Sequence, residues 1–211
     1  SALERRENVV LCSILASSGS APRGAGAKMA VFQNGQTLGT IGGGAVERIA
    51  AQQAMDLFRT GASYCQAFCL APNQVNDIGM ICGGSVTVYF RFFDHENARD
   101  LELIKTILEL LASGQDAWLV SRMEDGKITA MGTFDEAHGL RFAELDETML
   151  RPWLTSSAVY RKGEPSYYVE PISRAGRVYV FGGGHVGKAL VPVLANVDFR
   201  VAVFDNRKDF A

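Results

Sequence analysis

The sequence predicts an α/β protein, because two glycine triplets each stand between a strand-like apolar run and residues with helical spacing. The triplets are Gly42-Gly43-Gly44 and Gly182-Gly183-Gly184. A helix N-terminus offers unpaired N–H groups and the positive end of the helix dipole, and glycine lacks the Cβ atom that would keep an anion away. The chain therefore has two candidate loops for phosphate-bearing ligands.

The first strand-like segment is the continuous apolar run of residues 9–16, which predicts a central strand buried on both faces. Two further strand-like runs flank Asn34-Gly35, the strongest short signal for a β-hairpin. The hairpin leads into the first triplet and then into residues 45–60, whose apolar side chains recur at helical spacing. Gly61 is a typical end signal for this helix, which we expect to pack on the sheet.

Residues 17–24 follow the first strand as a loop of hydroxyl groups and glycines with one fixed cation, Arg23. This composition suits a phosphate or a carboxylate, because a guanidinium can bind either through two parallel hydrogen bonds. The alternative is a solvated turn in which Arg23 forms a surface ion pair of little energetic value. Glu47, in the first turn after the first triplet, either stabilises the helix dipole or contacts a ligand in the loop.

A third glycine site, Cys82-Gly83-Gly84, precedes a run from Val86 to Phe92 in which apolar residues alternate with others, as in a half-buried strand. A thiolate suits soft metals and nucleophilic chemistry, and the flanking glycines admit a bulky ligand. The alternative is that Cys82 is a small buried apolar residue, the commoner role of free cysteine.

The second triplet belongs to a G-x-G-x-x-G pattern formed by Gly182, Gly184 and Gly187. A short apolar strand precedes the pattern, helical spacing follows it, and a second strand ends at Asp205. In dinucleotide-binding βαβ units the glycine loop binds a pyrophosphate, and an acidic residue in this place binds a ribose hydroxyl. The sequence therefore predicts a Rossmann-like βαβ unit. The alternative is a structural unit whose glycines serve only the turn and the helix–sheet packing.

His185 lies inside the second loop, where it either contacts a ligand phosphate or caps the turn. A βαβ unit cannot bury both faces of a two-stranded sheet alone, so we expect this part of the protein to continue beyond Ala211.

The predicted organisation is an N-terminal α/β domain at residues 1–172 and the start of a Rossmann-like domain at residues 173–211. The first domain has a middle region from about residue 94. This region is predicted to contain a helix at 94–112 with Gly114 as its stop signal, a hairpin around Asp125-Gly126, a helix at 144–154 that Pro152 should end early, and a strand at 167–172.

Composition restricts the class of protein. The 21 basic and 23 acidic side chains give a formal charge of −2, which argues against a nucleic-acid-binding surface. No apolar stretch approaches the ~20 residues of a membrane-spanning helix. The four cysteines lack zinc spacing and no signal peptide is visible, so we expect a cytoplasmic protein with reduced thiols. No hydrolase, metalloprotease or Walker motif is present to predict catalysis.

Together these motifs resemble the xanthine dehydrogenase accessory protein family, of the XdhC/CoxI type. The Gly-Thr-Ile-Gly-Gly-Gly-x-x-Glu run is much more specific than any Rossmann glycine pattern, and the similarity extends from about Val9 to Ala211. The matching runs are Gly19-Ser20-Ala21-Pro22-Arg23, Gly39 to Glu47, Cys82-Gly83-Gly84, Phe181 to Gly187 and Asp205-Asn206-Arg207. Members of the family have an N-terminal α/β domain and a C-terminal Rossmann-like domain.

The resemblance implies a maturation factor rather than an enzyme. Such a factor binds the molybdenum cofactor, as molybdopterin or its dinucleotide form, and assists its sulfuration and insertion. The implied partners are an apo molybdenum hydroxylase of the xanthine dehydrogenase type and a cysteine desulfurase, and a homodimer is left open. Cys82 is then a candidate molybdenum ligand, and Glu47 either grips the pterin ring or stabilises its helix.

We expect Arg23, the first triplet, Glu47 and residues 82–84 to converge on one cleft, because ligands of α/β folds bind to loops at the ends of strands. The alternative function is an NAD(P)-dependent oxidoreductase that uses the Rossmann-like site.

Overall fold

The computed structural model describes residues 2–18, 23–69, 84–172, 176–196 and 199–207. Four features predicted from the sequence lie outside these residues: the loop at 19–22, Cys82, Gly83 and the domain junction at 173–175.

The described residues form four α-helices and twelve β-strands, with 3-10 turns at Leu3–Arg5 and Arg151–Trp153. The helices are α1 (Gly44–Thr60), α2 (Ala98–Ser113), α3 (Glu147–Leu150) and α4 (His185–Asn196). The strands are β1 (Val9–Ser18), β2 (Lys28–Phe32), β3 (Thr37–Gly39), β4 (Tyr64–Cys69), β5 (Ser85–Phe93), β6 (Ala117–Glu124), β7 (Lys127–Asp135), β8 (Gly139–Arg141), β9 (Val159–Arg161), β10 (Ser166–Pro171), β11 (Arg177–Phe181) and β12 (Arg200–Phe204). The predicted α/β class is confirmed.

Ten of the described strands form one sheet, in the order β3-β2-β1-β5-β4-β7-β6-β10-β9, with β8 paired to β7. All of its pairings are antiparallel. Antiparallel neighbours can be joined by tight turns. The hairpins predicted around Asn34-Gly35 and Asp125-Gly126 are confirmed as β2–β3 and β6–β7.

Strand β1 is internal to the sheet and is buried on both faces, as predicted. One apolar layer lies between the sheet and α1, and its members include Val10, Ile14, Met29, Ala50, Leu57 and Phe90. A second layer covers the opposite face and includes Leu15, Tyr89, Phe93, Leu103, Leu119 and Tyr168. Side chains from both faces of β1 are therefore removed from water, which explains its continuous apolar run.

The middle region from about residue 94 continues the same sheet. Tyr168 of β10 packs in the second apolar layer together with Leu15 of β1, although the two residues lie far apart in the sequence. A third layer covers the outer face of β6, β7 and β10 and includes Val120, Phe134 and Leu150. The described strands β1 to β10 thus belong to one continuous sheet.

Helix ends follow local sequence chemistry. The Asn97 side chain accepts hydrogen bonds from Arg99 N and Asp100 N, so α2 begins at Ala98 rather than at residue 94. Gly114 and Gly61 end α2 and α1 in the left-handed conformation, as predicted.

Two predictions about the first domain are corrected. The helix predicted at 144–154 is only one turn, α3, followed by a 3-10 turn that contains Pro152, because proline cannot donate the hydrogen bond that would continue the helix. Strand β5 was expected to be half-buried, but Tyr89 and Phe93 are buried as well as Val88. The second apolar layer covers the face that the alternating pattern assigned to solvent.

Strands β11 and β12 form a separate two-stranded parallel sheet, with Val178 opposite Val201 and Phe181 opposite Phe204. Helix α4 connects them, so the predicted βαβ unit is confirmed. The domain division at 172/173 stays a prediction.

The βαβ unit exposes much of its apolar surface. Tyr179 and Phe181 both contact Phe204, and Phe181 is 82 % exposed. The helix predicted from apolar spacing is confirmed as α4, and its Val186 and Val193 side chains are exposed. No helix within the described residues is long and apolar enough to span a membrane.

Candidate functional site

The first glycine triplet forms the turn between β3 and α1. Gly42, Gly43 and Gly44 have φ angles of 124°, 75° and 65°, which residues with a side chain rarely adopt. Thr40 N donates to Lys28 O at 2.9 Å and holds the start of the turn against β2. The backbone of this loop therefore requires glycine on conformational grounds alone.

The side chain of Glu47 turns back into this loop. Its Oε2 atom accepts hydrogen bonds from Ile41 N at 3.1 Å, from Gly43 N at 2.9 Å and from Thr40 Oγ1 at 2.5 Å. Burial acts to raise the pKa of Glu47, but these hydrogen bonds outweigh it, and the pKa lies below its ordinary value. The Glu47 carboxylate therefore already accepts from two backbone N–H groups of the loop, which the glycine pattern by itself predicted to be available to an external anion.

The outer side of the loop is open. A Cβ atom placed on Gly43 would meet no heavy atom within 4 Å. The first N–H groups of a helix have no intrahelical acceptor, and Gly43 at the N-cap of α1 has no side chain to accept from them. These N–H groups can bind a phosphate. Because the Glu47 charge offsets part of the helix dipole, a neighbouring cation would strengthen that binding.

The strand register brings several loops to one end of the large sheet. Ser18 at the end of β1 pairs with Ser85 at the start of β5, and their hydroxyl groups are 2.8 Å apart. Gly39 at the end of β3 packs so closely on Lys28 that a Cβ atom there would lie 2.6 Å from Lys28 O. The loops before β2, after β3 and before β5 therefore open at the same end.

These loops carry several of the predicted site residues. Arg23 is exposed in the loop before β2, and Gly84 is buried directly before β5. Cys82 and Gly83 lie outside the described residues. The convergence of Arg23, the first glycine loop and Cys82 on one cleft stays a prediction.

The second glycine loop has the three glycine roles expected of a Rossmann-like turn. Gly182 has a φ angle of 110°, and its N–H donates to Phe204 O at 2.7 Å. The space beside Gly184 is open, since the nearest atom to a Cβ placed there is Nη2 of the Arg207 guanidinium, at 3.9 Å. A Cβ atom on Gly187 would lie 2.2 Å from Gly182 O, so glycine is needed for the helix to approach the strand.

Asp205 closes the second loop from the side of β12. Its side chain is 3 % exposed, and Oδ2 accepts from Gly183 N at 2.8 Å. Arg207 supplies three further donors to the same carboxylate, from N, Nε and Nη2, each at 2.9 Å. The hydrogen bonds from Arg207 and Gly183 hold the pKa of Asp205 well below its usual range.

Two residues important to these loops were not among the predicted site residues. Thr40 donates to Glu47 in the first loop, and Arg207 lies over the second. Arg207 stands two residues after Asp205, where the Asp-x-Arg spacing was a usable signal. His185 begins α4 with its side chain exposed.

The described cysteines do not form a metal site. No group of three or more His, Cys, Asp or Glu side chains suited to a metal ion occurs in the part of the chain that the structure describes. Burial raises the pKa of Cys12 to about 12 and that of Cys65 to about 11. Cys69 is exposed at the end of β4.

A large antiparallel sheet followed by a Rossmann-like βαβ unit, each with a glycine loop at a helix N-terminus, defines a two-part α/β class. Residues 2–68 match the model of the XdhC and CoxI family. For these residues the match agrees with the resemblance seen in the sequence motifs.

Two comparisons extend over nearly the whole chain. It is 25% identical over 210 residues to a protein of Bacillus subtilis (strain 168) described as a probable xanthine dehydrogenase subunit, over 97% of this chain and 62% of that protein. Its fold is similar to the crystal structure of a xanthine dehydrogenase from Bacillus halodurans, with a TM-score of 0.75 and 19% identity, over 98% of this chain and 62% of that one. The chain thus spans 62% of the length of both proteins.

Proposed function

We propose that this protein is an accessory factor of a xanthine dehydrogenase-type molybdenum hydroxylase. It binds the molybdenum cofactor and assists its sulfuration and insertion into the apoenzyme. The family match and the name of the Bacillus subtilis relative support a role in the xanthine dehydrogenase system. The apo hydroxylase is then the client, a cysteine desulfurase supplies the sulfur, and the work takes place in the cytoplasm.

The first glycine loop is the observation that carries this proposal. It combines open space over Gly43 with the N-terminus of α1, at the end of the sheet where the loops of Arg23 and Gly84 also emerge. A phosphate-bearing group fits this arrangement, because backbone N–H groups and a helix dipole favour an anion there. Arg23 would supply a charge-assisted hydrogen bond to the same phosphate. When bound, the cofactor supplies the molybdenum centre that receives the sulfur.

Glu47 has a supporting role in this proposal. Its inward hydrogen bonds to Ile41 and Gly43 fix the shape of the loop, so it positions the N–H groups of α1. The stabilising interpretation of Glu47 is therefore favoured over direct contact with the pterin ring.

A pair of glycine variants tests the first loop. Gly43→Ala places a methyl group where we expect the ligand, while Gly35→Ala places one in equally open space at a φ of +82°, close to the +75° of Gly43. The backbone penalty is about 1 kcal/mol at Gly35 and larger at Gly43, whose ψ of −170° lies in a region that essentially only glycine adopts, so retention is compared at a temperature where melting curves show both variants to be folded. Pterin fluorescence after gel filtration with molybdenum cofactor should fall about tenfold or more for Gly43→Ala only. Equal retention by the two variants would remove the loop from the site.

Cys82 is proposed as a soft ligand for molybdenum or for its sulfur. Cys82→Ala should then lower cofactor retention strongly while the melting curve stays unchanged. Cys69→Ala is the matched control, since Cys69 is also a free cysteine but is exposed at the end of β4. Unchanged retention in Cys82→Ala would leave that residue without a ligand role.

The second glycine loop favours a nucleotide ligand. Gly182 provides the turn, Gly184 the open approach and Gly187 the close helix packing. The ligand is the nucleotide half of a dinucleotide pterin cofactor under the main proposal. Under the second candidate function, an NAD(P)-dependent oxidoreductase, it is a nicotinamide dinucleotide.

Calorimetric titration with NAD, NADP and the pterin dinucleotide separates these ligands. Gly184→Val is the control, because a β-branched side chain there should block the phosphate without touching the first loop. If the protein and this variant bind every nucleotide equally, the second loop is structural.

A further inference from the structure

We propose that the second glycine loop selects a dinucleotide that carries a phosphate on its ribose, and that Arg207 binds this phosphate while Asp205 holds Arg207 in place. The ligand class is a 2′-phosphorylated dinucleotide such as NADP, in preference to NAD. This inference rests on the second of the two ligands proposed for the loop, a nicotinamide dinucleotide, and adds which nicotinamide dinucleotide is selected and by which residue.

The hydrogen bonds of Asp205 argue against the ribose contact expected from its position. A carboxylate has about four lone-pair sites, two on each oxygen. Here Oδ2 accepts from Gly183 N and Arg207 Nη2, and Oδ1 accepts from Arg207 N and Nε. All four sites are thus used within the protein. A ribose diol could bind Asp205 only by displacing one of these donors.

The guanidinium of Arg207 lies where a ligand would approach the loop. Its Nη2 atom is 3.9 Å from the position of a Cβ atom on Gly184, and a Cβ atom on Gly182 would meet nothing within 4 Å. The Arg207 side chain is 58% exposed, so an incoming phosphate can reach it. Nε and Nη2 of Arg207 both donate to Asp205. Asp205 therefore orients the cation at the edge of the open loop.

The charge of the pair sets the expected selectivity. An unpaired aspartate at the end of the second strand accepts the 2′-hydroxyl of NAD and repels a 2′-phosphate, whereas an arginine nearby accommodates that phosphate. In this chain the Asp205 charge is neutralised by Arg207, with 2.9 Å between Oδ2 and Nη2. A guanidinium held in a fixed orientation can bind a phosphate through two hydrogen bonds. The geometry thus favours the phosphorylated ribose.

The test compares dissociation constants of NADP and NAD by calorimetry at one salt concentration. The protein should bind NADP about tenfold or more tightly than NAD. Arg207→Gln should remove this preference without lowering NAD affinity, which also shows that the variant is folded. Arg59→Gln is the matched control, because Arg59 also pairs with an aspartate, Asp56 at 2.6 Å, but lies on α1 with its side chain 79% exposed. Arg59→Gln should keep the full preference for NADP over NAD.

Asp205→Asn separates the two roles of the aspartate. If Asp205 positions Arg207, the variant should lose NADP affinity more than NAD affinity. If Asp205 binds ribose directly, NAD affinity should fall at least as much, and the inference is wrong. Equal or tighter binding of NAD by the unmodified protein also overturns the inference while leaving nucleotide binding intact. Binding of neither nucleotide overturns both.

Discussion

The carboxylate of Glu170 lies 2.5 Å from the Nζ atom of Lys28 and ties strand β10 to the first residue of strand β2. Glu170 is buried, with 5% of its side chain exposed, and also accepts a hydrogen bond from Tyr168 at 2.9 Å. Lys28 donates in addition to Gly26 O at 3.1 Å. The pair therefore joins two distant parts of the large sheet beside the loop that contains Arg23.

Replacing Lys28 with Met should lower the free energy of unfolding by about 2 kcal/mol, because it leaves the Glu170 charge buried without its cation. Lys28 is itself 36% exposed, so the loss is smaller than for a fully buried pair. The double variant K28M/E170Q should recover part of the loss, since it removes the unpaired charge. Urea unfolding at a constant m value provides the comparison.

Arg59→Met is the control for the Lys28 and Glu170 variants. Arg59 and Asp56 form an exposed pair, with 79% and 63% of their side chains accessible, and breaking it should cost less than about 0.5 kcal/mol. If the single and double variants at Lys28 and Glu170 lose the same free energy, the buried charge is not the cause of the loss.

Gly187→Ala should destabilise the βαβ unit by about 2 kcal/mol or more, because the added Cβ would lie 2.2 Å from Gly182 O, a backbone atom that cannot move alone. Gly184→Ala is the control, with the nearest atom 3.9 Å away. The rate of tryptic cleavage after Lys188 in α4 reports the effect. It should rise for Gly187→Ala, and similar rates for the two variants would show that the close approach has little energetic weight.

Acid should weaken the first glycine loop through Glu47. The folded-state pKa of Glu47 lies below the unfolded value of about 4.3, so its stabilising contribution is complete above that value and is lost as the pH falls through the folded pKa. The difference in melting temperature between the protein and Glu47→Gln should therefore shrink from about pH 7 to about pH 3. Glu109→Gln, at an exposed position of α2, is the control for the substitution itself. A constant difference for Glu47→Gln would show that its hydrogen bonds do not depend on charge.

Among the described cysteines, Cys69 should be alkylated first by iodoacetamide at neutral pH. Burial raises the pKa of Cys12 to about 12 and of Cys65 to about 11, so almost none of either is thiolate, whereas Cys69 is exposed. Peptide mass mapping gives the order, and modification of Cys12 before denaturation would contradict it. The same peptide mass map measures the alkylation of Cys82. Protection of Cys82 from alkylation by added molybdenum cofactor would support its proposed role.

Local chemistry made part of the structure predictable. The hairpin at Asn34-Gly35, the helix end at Gly61 and the βαβ glycines depend on residues close together in sequence, and each is confirmed. For the same reason the sequence located both glycine loops, since a strand, a glycine turn and a helix follow one another directly.

Long-range contacts made the remainder unpredictable. The pattern of β5 could not reveal that Tyr89 would be covered by residues of a later part of the sheet such as Tyr168. Nor does residue type show that Glu47 folds back onto its own loop, or that Asp205 has all its acceptor sites filled by Gly183 and Arg207. The periodicity of α4 identified a helix but not what its apolar side chains contact.

Strands β1 and β5 lie between two apolar layers, and this sets how their backbone N–H groups exchange hydrogen with water. Exchange there requires both layers to open together, which approaches global unfolding, so these amides should be the slowest to exchange. Strands β11 and β12, with Phe181 and Phe204 exposed, can open at a lower free energy. The first loop leads into α1, which packs on these slowly exchanging strands, whereas the second loop lies on strands that open more easily, so a ligand should slow exchange chiefly around the second.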